Sequence, residues 1–282
     1  MSALSPSLAA ASAAALIAAT SLGWAIAARR RDRRHAAAMH DDLHRRLDQA
    51  AKDIGAAHAE LDAFAYTVAH DLRAPLRAID GFSRALIEDF PHGLEPEAAR
   101  LLGTVRRNAV RMGVLMDGLL AYSRLSRQPL ATRAADPAAI VRRLLDDGAA
   151  ARAGRDLAIT IGALPACVAD PGLLTRLYAA LIDNSVKFTR ETPAARIEIG
   201  SRIENGLTVY FVADNGAGFD MAYAGKLFGV FQRLHRAEDY DGTGIGLATA
   251  QRIVHRHGGE IWATAQPNAG ATFCFTLGEP AP

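Results

Sequence analysis

Apolar residues along the first third of the chain recur with the spacing of a long helix. Between residues 35 and 70 they alternate at intervals of four and three, the a and d positions of a heptad repeat. These positions hold Leu43, Leu47, Ala50, Ile54, Ala57, Leu61, Phe64 and Val68. One interpretation is an amphipathic helix that packs on its own domain. We favour a parallel coiled coil over residues 35–60, because few apolar residues lie off this stripe.

An uncharged apolar stretch precedes that helix at residues 8–28. About 20 helical residues at roughly 1.5 Å each reach about 30 Å, the thickness of a bilayer core. Arginines crowd residues 29–34 and no Lys or Arg comes earlier, so the positive-inside rule places the rest of the chain in the cytoplasm. The abundance of alanine also suits a soluble or disordered amino end. We predict a transmembrane anchor with a basic flank in residues 1–34, in a single-pass protein of the inner (cytoplasmic) membrane.

Helical periodicity continues beyond residue 70 and then starts afresh. The next apolar positions are Leu76, Ile79, Phe82, Leu86 and Ile87. A turn with Pro and Gly follows at residues 89–96, and Pro96 suits the first turn of a second helix. Two such helices form a hairpin, and two hairpins form a four-helix bundle. We therefore predict a dimeric helical hairpin, a homodimer, in residues 61–128.

Strand and helix patterns are mixed after residue 129. Helices are predicted from Pro137 and from Leu173. Strand candidates occupy residues 157–161, 196–200 and 207–213, with a last hairpin at 263–277. This mixture predicts a helix layer on one face of a mixed sheet. The fold class is therefore α plus α/β, a helical hairpin followed by an α/β sandwich domain in residues 129–282.

Charge and cysteine content narrow the range of functions. The formal net charge is only +2, so we expect no nucleic-acid partner. Cys167 and Cys274 lie far apart without a CxxC pattern. Reduced core residues are therefore favoured over a disulfide or a metal site, as suits a cytosolic domain.

One histidine lies at a distinctive place in the helical half. His70 comes two residues after Val68, the last heptad position, so it lies off the buried stripe, where a phosphate acceptor must be. Pro75 cannot donate a hydrogen bond to the carbonyl of Asp71, so we expect a bend just beyond the histidine. One histidine among nine is nevertheless a weak signal by itself.

Two segments of the second half carry residues suited to a base and a metal. Asp214 ends a strand, and Gly216 and Gly218 let the backbone turn tightly beside a ligand. A carboxylate there can accept the amino hydrogens of adenine. Asn184 offers a neutral oxygen suited to Mg²⁺, and Lys187 shares its helix face beside the phosphates.

A third segment is suited to phosphates. Gly242, Thr243, Gly244 and Gly246 directly precede a helix that starts near Leu247. The free amide hydrogens and dipole of a helix amino end form an anion site. Each of the three motifs is common alone, but the three in this order predict a nucleotide-binding domain.

The order of these motifs resembles the sensor histidine kinases of two-component signalling, over residues 62–277. Residues 70–76 resemble the phosphoacceptor box, and residues 183–188 the asparagine box. The segments at 214–218 and 242–247 resemble the two glycine boxes, and 227–235 the phenylalanine box beside the ATP lid. The sequence around His70 and Phe231 most resembles the phytochrome-like branch of the family, although we expect no chromophore domain here.

The resemblance implies a phosphotransfer hairpin and an ATP-binding domain of the Hsp90, gyrase and MutL type. His70 would accept the γ-phosphoryl group of ATP, with Asp71 orienting the ring or taking its proton. The phosphoryl group would then pass to an aspartate in the receiver domain of a separate response regulator. The expected cofactors are ATP and Mg²⁺.

The resemblance also implies a role for each motif of the nucleotide site. Asp214 would hold adenine, Asn184 would hold Mg²⁺, and Lys187 with Arg233 would hold the phosphates. The glycine-box residues would bind ATP through their backbone; they are Gly216, Gly218, Gly242, Thr243, Gly244, Gly246 and Leu247.

Three positions depart from the family pattern. Ala180 stands where a second asparagine is frequent, which points to a weaker metal or phosphate network. Ala74 stands where a Thr or Asn linked to phosphatase activity is common, which puts that activity in question. Ser185 replaces a frequent alanine, and we expect this change to matter little.

Two other functions compete with a kinase. One is an ATPase of the same nucleotide-binding fold that acts as a conformational machine, which the hairpin with His70 disfavours. The other is a membrane-anchored dimer without catalytic activity, which the intact asparagine and glycine boxes disfavour.

Overall fold

The computed structural model describes residues 6–90, 93–235, 240 and 242–278 of the 282. Side chains are described from Met39 onward, with a few exceptions within helices. The chain divides into two compact units, Met1–Leu61 and Asp62–Pro282. The finer division predicted from the sequence, at residues 34, 60 and 128, stays a prediction.

The first helix, α1, extends over Pro6–Asp89 and contains the whole heptad segment. Leu43, Leu47 and Ile54 on the predicted seam are each more than half exposed in the single chain. A row of exposed leucines and isoleucines is what a coiled-coil seam leaves without its partner. The coiled coil itself stays a prediction.

The membrane span predicted at residues 8–28 is not supported. Its backbone is helical, but its side chains lie outside the described residues. In the part of the chain that the structure describes, no helix combines the length and apolar character needed to cross a bilayer.

The predicted helical hairpin is confirmed. Helix α2 covers Pro96–Arg127, with Pro96 at its first position. Two ion pairs join it to α1, one between Arg106 Nε and Asp80 Oδ1 at 3.1 Å and one between Arg73 and Asp117. The apolar contacts of the hairpin bury Ala69, Leu76, Ala109 and Leu120. Helix α1 continues through Pro75 to its end, and the bend expected there stays a prediction.

The remaining chain folds into a mixed sheet with helices. The strands are β1 (Arg133–Ala135), β2 (Leu157–Ile161), β3 (Cys167–Ala169), β4 (Ala195–Glu204), β5 (Leu207–Asp214), β6 (Ile261–Gln266) and β7 (Gly270–Phe275). The helices are α3 (Pro137–Asp147), α4 (Ala149–Arg152), α5 (Pro171–Phe188) and α6 (Gly246–Arg256), with a 3₁₀ helix at Met221–Lys226.

The strand order of the large sheet is β2-β4-β5-β7-β6. Strands β2 and β4 are parallel and the other neighbours are antiparallel. Helices α5 and α6 pack together and contribute Leu177, Leu181 and Ile253 to a core that also holds Phe273 and Phe275 of β7. The predicted helix layer over a mixed sheet is therefore confirmed.

Two local features differ from, or add to, the sequence interpretation. Residues 129–137 are predicted to be a linker, but three of them form β1, which pairs with β3. Such a short strand is stabilised by its partner and leaves no periodic pattern of its own. Cys167 and Cys274 are free, as expected.

Among the described residues, one buried side-chain polar atom lacks a hydrogen-bond partner, and this generates a prediction. The hydroxyl of Tyr178 is fully buried and, among the described residues, has no hydrogen-bond partner. Because a buried unpaired hydroxyl costs desolvation energy, Tyr178→Phe is expected to leave the free energy of unfolding unchanged or raise it by about 1 kcal/mol. Thermal or urea unfolding measures this change.

Tyr210→Phe provides the matched control. Its hydroxyl donates a hydrogen bond to the carbonyl of Pro165 at 3.0 Å. Removing it is expected to lower the free energy of unfolding by about 1 kcal/mol. Equal losses in the two variants would contradict the assignment of an unpaired hydroxyl to Tyr178.

Candidate nucleotide-binding site

A cavity of about 380 Å³ lies between α5, the loop after β5 and the start of α6. Its size suits a small-molecule ligand. Ten of the residues proposed from the sequence line it, namely Asn184, Lys187, Asp214, Gly218, Arg233, Gly242, Thr243, Gly244, Gly246 and Leu247. Ala180, one of the departures from the family pattern, lines it too. Three other proposed residues, Gly216, His70 and Asp71, are not among the lining residues.

The base end of this cavity is built around the Asp214 carboxylate. Its Oδ1 accepts a hydrogen bond from the Gly216 amide at 3.0 Å, and its Oδ2 accepts one from the Ser185 hydroxyl at 2.8 Å. Burial raises the pKa of Asp214 above its ordinary value, and these hydrogen bonds oppose the rise. The result is a fixed acceptor at the end of β5.

Two glycines allow the backbone to pass close to its neighbours here. A Cβ atom on Gly216 would lie 2.5 Å from the carbonyl oxygen of Phe188. Gly218 has φ +58°, and a Cβ atom there would lie 2.0 Å from the carbonyl oxygen of Gln266. The need for glycine at both positions therefore comes from backbone packing around the site.

Asn184 and Lys187 come from the last turn of α5 and line the cavity. The Nζ of Lys187 lies 4.3 Å from the ring centroid of Phe188. A Cβ atom on Gly242 would lie 3.2 Å from the same Nζ, so Lys187 reaches the second glycine loop. The lysine therefore connects α5 to the segment predicted to bind phosphate.

The phosphate end is the amino terminus of α6. The helix begins at Gly246 without a side-chain cap, which leaves its first amide groups free of a side-chain partner. Gly244, with φ +72°, lies against the backbone of Phe231 and Gln232, and its carbonyl accepts a hydrogen bond from the Phe231 amide at 3.0 Å. Arg233 donates to the carbonyl of Gly242 at 2.9 Å and also to that of Tyr240. The predicted phosphate ligand Arg233 therefore braces this loop.

An aromatic cluster closes one side of the cavity. The rings of Phe188, His235 and Tyr240 touch one another, with centroid separations of 4.9, 4.8 and 5.3 Å. His235 Nε2 donates to the carbonyl of Gly218 at 2.9 Å, which ties this cluster to the first glycine loop. The contacts of Ser185, His235 and Tyr240 could not be predicted from the sequence, because no local pattern marks contacts between distant residues.

The candidate phosphate acceptor is on α1. His70 is 65% exposed, and its Nδ1 lies 3.1 Å from Asp71 Oδ1. Adjacent helical side chains do not usually face one another, but the carboxylate of Asp71 is oriented toward the imidazole ring of His70. Because a carboxylate only accepts, Nδ1 is the donor in this contact, which in the neutral ring leaves the lone pair on Nε2.

The second glycine loop also contacts the helical hairpin. Ile245 is 4% exposed and packs on Gly118 of α2, where a Cβ atom would lie 2.5 Å from its Cδ1. Arg256 at the end of α6 donates to the carbonyls of Leu125 and Gln128. The loop that borders the cavity therefore also touches the hairpin that carries His70.

Two family models match the chain in this order. The His Kinase A (phospho-acceptor) domain matches residues 60–128, and the histidine kinase-, DNA gyrase B- and HSP90-like ATPase matches residues 169–281. The chain belongs to the sensor histidine kinases of two-component signalling.

Curated relatives carry the same region. The chain is 37% identical over 235 residues to cyanobacterial phytochrome B of Nostoc sp., a match that covers 82% of this chain and 31% of the relative. It is 32% identical over 236 residues to the methanogenesis regulatory histidine kinase FilI of Methanothrix harundinacea, covering 83% and 26%. The chain therefore spans about a third or less of the length of these relatives.

Solved structures share the fold. Full-length ShkA in complex with AMPPNP superposes with a TM-score of 0.55 at 24% identity, covering 76% of this chain and 45% of that one. The Acinetobacter baumannii histidine kinase AdeS superposes with a TM-score of 0.51 at 19% identity, covering 74% and 98%. These likenesses support the hairpin followed by the α/β domain.

The site generates a prediction about Asp214. In Asp214→Asn, an amide that donates hydrogen bonds replaces one of the acceptors, so an amino group of the base loses its partner. Affinity for ADP, measured by calorimetry, is expected to fall at least about 100-fold.

Asp220→Asn is the control for the loss of one charge. Asp220 caps the 3₁₀ helix, is exposed and does not line the cavity. Its variant should bind ADP like the unmodified chain. Unchanged affinity in Asp214→Asn would remove Asp214 from the base contact.

Proposed function

We propose that the chain is an ATP-dependent histidine kinase that phosphorylates itself on His70. The observation that carries this proposal is the pairing of an exposed imidazole, held through Nδ1 by Asp71, with a cavity whose polar residues suit ATP. Family membership supports both parts.

The attacking atom is Nε2 of His70. Its lone pair forms a bond to the γ-phosphorus while the bond from that phosphorus to the bridging oxygen of ADP breaks. The ring becomes positively charged during attack, and the Asp71 carboxylate stabilises that charge through Nδ1–H. Catalysis then depends on positioning and charge neutralisation in the cavity.

Different residues of the cavity bind different parts of the nucleotide. Asp214 accepts a hydrogen bond from the base, and Lys187 neutralises phosphate charge. The amides at the start of α6 donate hydrogen bonds to phosphate oxygens. Among the described residues no group of three or more His, Cys, Asp or Glu side chains is placed to hold a metal. The Asn184 amide oxygen suits Mg²⁺ that takes its other ligands from phosphates and water. The bound ion would neutralise phosphate charge.

The functional unit is a homodimer. Helices α1 and α2 leave Phe82, Leu101 and Val105 more than two-fifths exposed in the single chain. A second hairpin that packs on these residues would complete a four-helix bundle. His70 is not in the cavity of the arrangement described, so transfer requires either a domain movement or the nucleotide of the partner.

The acceptor of the phosphoryl group is an aspartate in the receiver domain of a separate response regulator. Adding such a domain to the labelled kinase should move label from one protein to the other. Ala74 replaces the Thr or Asn that the family commonly uses for phosphatase activity. We therefore expect phosphorylation of the partner to dominate over its dephosphorylation.

Membrane attachment through residues 1–34 stays a prediction from the sequence alone. Full-length protein should sediment with membranes, and a variant lacking these residues should be released. Recovery of the full-length chain in the soluble fraction would show that this prediction is wrong.

Label transfer from γ-labelled ATP tests the proposed activity. Purified protein with Mg²⁺ should acquire label that acid removes and alkali does not, as expected of a phosphorus–nitrogen bond. His70→Gln should abolish the label, whereas the control His44→Gln, an exposed histidine elsewhere on α1, should retain it. ADP formation without label would favour the conformational ATPase, and ATP binding without turnover would favour the non-catalytic dimer.

A further inference from the structure

The residue directly after Asn184 has an unexpected contact. Ser185 has no exposed surface and does not line the cavity. Its hydroxyl nevertheless donates a 2.8 Å hydrogen bond to Oδ2 of Asp214, which does line it. The expectation that a serine here matters little is therefore placed in question by the structure.

Donors behind Asp214 hold both oxygens of its carboxylate, and the backbone of Ala271 is a further donor to it. Gly216 supplies an amide to Oδ1 and Ser185 supplies a hydroxyl to Oδ2. A carboxylate held at one oxygen can still rotate about its side-chain bonds, whereas one held at both has a single orientation. Each oxygen keeps a further lone pair for a ligand.

We propose that Ser185 is a positioning residue that holds the Asp214 carboxylate as an acceptor for the exocyclic amino group of adenine, and thereby sets discrimination against guanine nucleotides. This inference rests on the proposed ATP-dependent function. Adenine presents an amino donor at its six-position, which a carboxylate accepts. Guanine presents an oxygen there, which faces the lone pairs of the carboxylate without a hydrogen between them.

Without the serine hydroxyl, Asp214 loses part of this selectivity for two reasons. Its Oδ2 loses the hydroxyl donor, so the carboxylate is held less firmly and the acceptor is less well aligned with the amino group. Burial already raises the pKa of Asp214, and the hydrogen bond from Ser185 is one of the contacts that oppose the rise. A carboxyl that more readily keeps a proton can donate to the oxygen of guanine.

The test compares the dissociation constants of ADP and GDP in the full chain. Ser185→Ala is expected to weaken ADP binding about tenfold and to lower the ratio of the GDP to the ADP constant about tenfold. The autophosphorylation rate at saturating ATP should change less than about twofold, because Ser185 acts on base binding. Thr175→Val is the control, since the Thr175 hydroxyl on the same helix donates to the carbonyl of Pro171 instead.

A double variant shows whether Ser185 acts through Asp214. Ser185→Ala added to Asp214→Asn should weaken ADP no further than Asp214→Asn alone. If Ser185→Ala does not fold, Ser185→Cys supplies a slightly larger side chain with a weaker donor and should show a smaller change in the same direction.

Two outcomes would overturn the inference. One is unchanged ADP affinity in Ser185→Ala, and the other is equal weakening of ADP and GDP, which indicates a general loosening of α5. Failure of the unmodified chain to bind ADP or ATP would instead overturn the proposed function, so the two failures are distinguishable.

Discussion

The nucleotide site depends on keeping one partly buried carboxylate hydrogen-bonded. A charge removed from water is costly unless donors replace the water. Asp214 receives those donors from the loop after β5 and from the buried face of α5, through Gly216 and Ser185. The packing of α5 on the sheet therefore determines the geometry of the base contact.

Close backbone packing extends this constraint to the rest of the cavity. Gly218 approaches the turn between β6 and β7 more closely than any side chain would allow. Its carbonyl accepts a hydrogen bond from Nε2 of His235. Gly244 similarly lies against the segment that carries Phe231. The glycine loops are thus shaped by their protein neighbours, which holds their amide groups in place before a nucleotide binds.

The proposed phosphate acceptor, His70, and the nucleotide cavity are separate in the arrangement described. His70 is exposed on α1, while the second glycine loop contacts α2 through Ile245 and Gly118. A kinase that acts on its own histidine has to bring these two places together, within one subunit or between two. The contact of Ile245 with Gly118 gives the nucleotide loop a direct physical link to the hairpin that carries His70.

Much of this arrangement could be predicted from the sequence, because local patterns encode it. Heptad spacing and Pro96 predict the hairpin, and glycines before a helix predict the anion site. The partners of Asp214 could not be predicted. Ser185 lies 29 residues away along the chain, and only the packing of α5 on the sheet brings its hydroxyl to the carboxylate. Strand β1 and the cluster of Phe188, His235 and Tyr240 were missed for the same reason. The resemblance implies a contact between His70 and Asp71, although adjacent helical side chains do not usually face one another.

The identity of the phosphorylated atom shows whether His70 attacks ATP through Nε2. After incubation with ATP and Mg²⁺, the modified residue can be located by mass spectrometry under alkaline conditions, and the bonded ring nitrogen by ³¹P–¹⁵N NMR. We expect phosphate on Nε2 of His70, because Asp71 occupies Nδ1. Phosphate on Nδ1, or on His235 within the cavity, would contradict it.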